Sequence, residues 1–80
     1  MIYNQLQGVI GLKEIKINTD IIKLDQFLKW SGVAESGAAA KQMVLSGIVK
    51  VNGDEASQRG KKLHKGDRIF VEGAGEFLVV

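Results

Sequence analysis

The chain has 80 residues, a formal net charge of +2, 45% apolar residues, and neither cysteine nor proline. This length builds one small domain, and without cysteine it holds no disulfide, no thiolate metal ligand and no thiol nucleophile. Its apolar runs fall far short of the roughly 20 residues that cross a bilayer, so no membrane partner is expected.

Residues 1–11 (MIYNQLQGVIG) carry no basic n-region and no long apolar core, so they do not read as a secretory signal. Ile2, Leu6, Val9 and Ile10 fall at i, i+4, i+7 and i+8, one face of a short helix. Gly8 and Gly11 oppose that helix. The segment is therefore an N-terminal extension, either a short docked helix or a frayed end, before a domain over residues 12–80.

LKEIKIN (12–18) alternates, with Lys13, Ile15 and Ile17 on one side, as in a half-buried strand. The period then changes. Leu24, Phe27 and Leu28 are spaced i, i+3, i+4 on a first helix, which also bears Lys23 and Lys29. Gly32 is its expected left-handed stop, with Val33 folding back onto it. A second helix fits SGAAAKQMVLSG: Ser36 is the N-cap, Ala40, Met43 and Val44 form the apolar stripe, and Gly47 ends it. The short connection predicts a helix-turn-helix-like pair.

After Gly47 the chain reads as β. IVKV runs into Asn52-Gly53, a dipeptide suited to the two positive φ angles of a type I′ hairpin. Val49 and Val51 then face inward and Lys50 outward. Gly66-Asp67 and Gly73-Ala74-Gly75 mark two further turns. The predicted fold is α+β, a helix pair on one side of a small, mostly antiparallel sheet. Trp30 lies one position off its helix stripe and is expected to pack under a loop or the N-terminal extension rather than act as a stacking platform. Phe70 and Phe77 are expected in the sheet core.

Catalytic readings fail on spacing. His64 is the sole histidine, with no partners for a zinc site. Ser36 and Lys41 are five apart on one helix, off-face for a nucleophile–base dyad. Asp54 and Glu55 point to opposite sides of a strand. Gly73-Ala74-Gly75 opens no helix, so it is no dinucleotide fingerprint. No enzyme activity and no cofactor are expected.

Charge placement is more telling. Residues 58–68 hold five cations (Arg59, Lys61, Lys62, Lys65, Arg68) against Asp67, a net +4, which leaves −2 for the rest of the chain. Such asymmetry points to a polyanion, against the plainer reading of a solvated lysine-rich loop. If Lys23, Lys29 and Lys41 share a face with Lys50, Arg59, Lys61 and Lys62, the result is a basic groove for phosphates. Only two arginines are present, so the contacts should be chiefly electrostatic.

KLDQFLKWSGVAESGAAAKQMVLSGIVKVNG resembles the RNA-binding domain of the ribosomal protein S-four superfamily. The matching positions are Lys23-Leu24-Asp25 with Leu28, Gly32, Ser36, Ala40-Lys41, Met43-Val44, the block Gly47, Val49, Val51, Asn52, Gly53, and the late Gly66-Asp67. The resemblance covers about residues 13–80 and is strongest to the short stand-alone bacterial members. It implies the alpha-L RNA-binding motif, with Lys23, Ser36, Lys41, Lys50 and Asn52 as contacts and Gly53 shaping the turn. Arg59, Lys61 and Lys62 join them on charge placement. The implied partner is structured RNA, ribosomal or transfer RNA, met as a monomer, on the ribosome or off it. One position departs from the family: Gly37 stands where arginine usually follows the serine. Either a phosphate grip is lost and the contact re-centres on residues 59–62, or Gly37 lets a phosphate approach the helix N-terminus. A protein-interaction adaptor on the same fold is the rival reading, motivated by the modest net charge, Gly37 and the apolar residues of 1–11.

Overall fold

The computed structural model describes residues 12–80, so the N-terminal extension expected over 1–11 lies outside the described residues. In chain order the elements are β1 (Leu12–Ile15), β2 (Ile21–Lys23), α1 (Leu24–Trp30), α2 (Gly37–Leu45), β3 (Val49–Val51), β4 (Asp54–Glu55), β5 (Lys62–His64), β6 (Arg68–Val71) and β7 (Gly75–Val79). The α+β class and the helix pair are as expected. The β structure is richer than a single small sheet. Five strands run in the order β1-β7-β6-β3-β4, and β2 pairs with β5 in a separate two-stranded ribbon. The β1–β7 pair is parallel and the other pairs are antiparallel.

Apolar burial organises these parts around one core. Leu24, Phe27 and Leu28 of α1 and Ala40 and Val44 of α2 are buried with Val49, Val51, Ile69, Val71, Phe77 and Val79 of the large sheet. Leu63 adds the ribbon to that core. Phe27 meets Phe77 edge-to-face at 6.4 Å between centroids and 79° between planes, a pairing worth about 1 kcal/mol beyond area burial. It fixes α1 over β7.

Local signals set the element ends. Ser36 Oγ accepts from the Ala39 N–H at 3.1 Å, satisfying one donor that the first turn of α2 leaves free. Past Leu45 the chain turns at Gly47, with φ +77. A Cβ on Gly47 would meet only the mobile tip of the exposed Glu55 side chain, so the positive φ is what favours glycine. At the hairpin, Asn52 (φ 52) and Gly53 (φ 90) are both left-handed, the type I′ signature, and Val51 pairs with Asp54 directly across.

One aromatic expectation needs correction. Phe77 is buried, but Phe70 is 41% exposed. Ile69 pairs with Phe77 across β6 and β7, so the inner face of β6 carries Ile69 and Val71, and period-2 alternation turns Phe70 outward. Trp30 borders the loop at Ile17, Asn18 and Thr19, and its expected packing under the N-terminal extension lies outside the described residues. Its Nε1–H donates to the Lys16 carbonyl at 2.8 Å, while the side chain stays 57% exposed.

Asn52 also ties two turns together. Its Oδ1 accepts from the Arg68 N–H at 2.9 Å and its Nδ2 donates to Asp67 Oδ1 at 3.1 Å. The other Asp67 oxygen accepts from the His64 N–H at 2.8 Å. Burial works against ionisation of Asp67. The His64 N–H, the Asn52 amide and the charges of His64 and Lys61 outweigh it and hold the carboxyl below its ordinary value of 3.8.

A carboxyl with a lowered folded pKa stabilises above its unfolded pKa, and that stabilisation disappears as pH falls through the folded value. Asp67→Asn should therefore cost about 1–2 kcal/mol near neutral pH, with the deficit shrinking in acid below the carboxylate range. Urea melts of parent and variant at about pH 7 and about pH 3 check this; an equal deficit at both would mean that the charge contributes nothing. Ser36→Ala should cost about 0.5–2 kcal/mol, independent of pH over that range, measured by the same melts.

Candidate nucleic-acid interface

The basic segment is held against α1 by the backbone. Lys23, at the N-cap position of α1, makes no side-chain cap bond. The first donors of α1 are satisfied instead by the loop: the Leu24 N–H donates to the Lys61 carbonyl at 2.8 Å, and the Asp25 N–H to the Arg59 carbonyl at 2.9 Å. A tight turn shapes the loop, with the Lys61 N–H donating to the Gln58 carbonyl at 3.2 Å. The chain then enters β5, where Lys62 pairs with Lys23, Leu63 with Ile22 and His64 with Ile21. Residues directly opposite on a ribbon project to the same side. Leu63 is buried, and Lys23 and Lys62 are both exposed.

Two like charges thus stand side by side, an arrangement that is destabilising on its own. The acidic groups near these cations are Asp25, which accepts from the Gln26 N–H, Asp67, whose carboxyl feels the Lys61 charge, and Asp54 and Glu55, which line a depression with Lys61. Among the described residues the charged contacts are Arg68–Glu76 and, when the imidazole is protonated, His64–Asp67, and neither involves Lys23, Lys41, Arg59, Lys61 or Lys62. Lys41 and Arg59 line one depression with Val44, Leu45, Ser57, Gln58 and Gly60. The face therefore gathers Lys23 and Lys62 on the ribbon with Arg59 and Lys61 on the docked loop, and Lys41 faces that loop from α2. Lys23 is the last residue of β2, one position before the helix on which the sequence reading set it.

Other expected positions lie elsewhere. Lys29 lines a separate depression with Ile22, Gln26 and Trp30. Lys50 is exposed between buried Val49 and Val51, with Phe70 and Glu55 as its cross-strand neighbours. It projects from the face of the sheet opposite the buried core. Gly53 serves the hairpin turn, and both ends of the Asn52 amide are engaged within the protein. Gly37 is the first residue of α2, and a Cβ there would meet nothing within 4 Å, so the fold itself does not demand glycine.

Sequence reasoning missed Leu45. It follows Val44, so on the helical wheel it turns about 100° away from the buried stripe, and it is 64% exposed. A helical-wheel plot extended by one residue finds it. Among the described residues no group of three His, Asp or Glu side chains could hold a metal ion, and no helix is long and apolar enough to cross a membrane.

Comparison with known proteins adds the family. Residues 15–80 match the S4 domain family. The chain is also 44% identical over 66 residues to the probable ribosome maturation protein RlbA of Bacillus subtilis (strain 168), covering 82% of this chain and 93% of that protein. The helix pair, the glycine-ended hairpin and the family match over residues 15–80 agree, and the chain belongs to the S4 domain family.

Proposed function

We propose that this protein is a non-catalytic RNA-binding module that holds structured RNA, ribosomal RNA above transfer RNA, through phosphate contacts, and that it works as a monomer in the cytoplasm. The observation that carries this reading is the cross-strand Lys23–Lys62 pair, flanked by a loop whose Arg59 and Lys61 are fixed by their own carbonyls. A protein gains nothing in its free state from adjacent, unneutralised cations, whereas a phosphate backbone supplies the missing charge. Membership of the S4 domain family supports the RNA partner, and the relative named as a ribosome maturation protein supports ribosomal RNA and a part in ribosome assembly.

Lys23, Lys41, Arg59, Lys61 and Lys62 are the phosphate contacts in this reading. A-form RNA hides its base edges in a deep, narrow major groove, so shape and charge carry most of the affinity. Gly37 keeps the start of α2 free of side-chain bulk, which shifts the weight of binding to the docked loop. The adaptor reading retains one specific support, the exposed rings of Trp30 and Phe70. Phe70 stands across from Lys50 on the outer face of the large sheet, so a protein partner there is compatible with RNA bound at the loop.

Replacing Lys23 and Lys62 together with glutamine separates function from fold. The free protein should keep its stability or gain up to about 0.5 kcal/mol, because a repulsive pair is removed. Its affinity for ribosomal RNA should fall, and the log–log salt slope should flatten by about one for each phosphate no longer engaged. Fluorescence anisotropy at several salt concentrations, beside urea melts, reads both. Unchanged affinity at matched salt would remove this face from the binding surface.

A further inference from the structure

The depression between α2 and the docked loop has a composition that phosphate binding does not require. Its volume is about 270 Å³, close to the lower end of small-molecule sites, roughly 300 Å³. Val44 and Leu45 give it apolar lining, Ser57 and Gln58 bring polar groups, and Lys41 and Arg59 add two cations. No carboxylate lines it. The neighbouring depression of about 240 Å³ shares Ser57 and Gln58 but sets Asp54 and Glu55 beside Lys61, so its charges are mixed.

Leu45 is the unexplained element. It is the most exposed of the large apolar side chains among the described residues, 64% accessible, on a helix whose inner face is already filled by Ala40 and Val44. A phosphate has no use for it. An apolar wall beside an amide and a hydroxyl, with two cations in the lining, matches a nucleotide: ring against the leucine by apolar contact, base edge toward Gln58 and Ser57, phosphate toward Lys41 and Arg59. The Gln58–Lys61 turn and the Asp25 N–H to Arg59 carbonyl bond hold the loop side of the notch in place, so the site needs little ordering on binding.

We infer that this notch takes one unpaired nucleobase, extruded from a bulge or loop of the bound RNA, while the flanking phosphates lie on Lys41 and Arg59. The inference rests on the RNA-binding reading and deepens it. The protein then selects RNA with an unpaired nucleotide over an uninterrupted duplex, and it does so by an apolar contact that salt does not screen.

The test uses two blunt two-stranded RNA duplexes of the same sequence, one with a single bulged uridine and one fully paired, with the full chain and its Leu45→Ala variant. Alanine keeps the helix and alters no charge. The parent should bind the bulged duplex about fivefold more tightly than the paired one, the scale expected for covering part of one leucine side chain. Leu45→Ala should lose most of that preference, bind the paired duplex as the parent does, and keep the same salt slope on both. Equal parent affinity for the two duplexes, or a preference that survives Leu45→Ala, overturns the notch while leaving the phosphate reading intact. Absence of salt-dependent binding to either duplex overturns both.

Discussion

Two backbone hydrogen bonds fix the cationic loop of this protein against its first helix. The N–H groups of Leu24 and Asp25 open α1 with no side-chain cap, and the carbonyls of Lys61 and Arg59 receive them. Orphan donors at a helix start must be satisfied. Here a loop rich in lysine and arginine does so with its main chain. The side chains of that loop stay free, and its backbone is fixed to the helix by hydrogen-bond geometry. The ribbon β2–β5 continues the same attachment and brings Lys62 beside Lys23.

The consequence is a protein with two unlike surfaces. On one side, cations from β2, α2, the docked loop and β5 gather, and none of them is in an ion pair among the described residues. On the outer side of the large sheet the charges are mixed: Lys50 stands across from Glu55, and Arg68 pairs with Glu76 at 3.7 Å. The whole chain carries only +2, so net charge understates the field on the first surface. Position, set by hydrogen bonds, matters more here than total charge. The Asn52–Asp67 tie gives this division its rigidity, because it locks the β3–β4 hairpin to the turn that joins β5 and β6.

Much of this was legible in the chain because it is local. Ser36 as a cap, Gly32 and Gly47 as stops, and Asn52-Gly53 as a hairpin each act within a few residues, and each stands where the sequence suggested. The basic cluster was legible as composition. Its anchoring was not. Strands β2 and β5 are three residues long, too short for alternation to announce them, and they are far apart along the chain. The parallel β1–β7 pair has the same character. Phe70 was misjudged because inward parity on β6 depends on its register with β7, which a single strand does not reveal. Asn52 is instructive in another way: the residue that reads as a turn former or an RNA contact spends its side chain holding the fold together.

The central claim is that the face built by the loop docked on α1 meets the RNA. An NMR titration of isotopically labelled protein with a ribosomal RNA hairpin measures it most directly. Amide shifts should concentrate at Lys23, Lys41 and residues 58–62, with little change at Phe70 and Glu76 on the outer sheet face. Shifts centred on the outer face, with residues 58–62 unmoved, would contradict it.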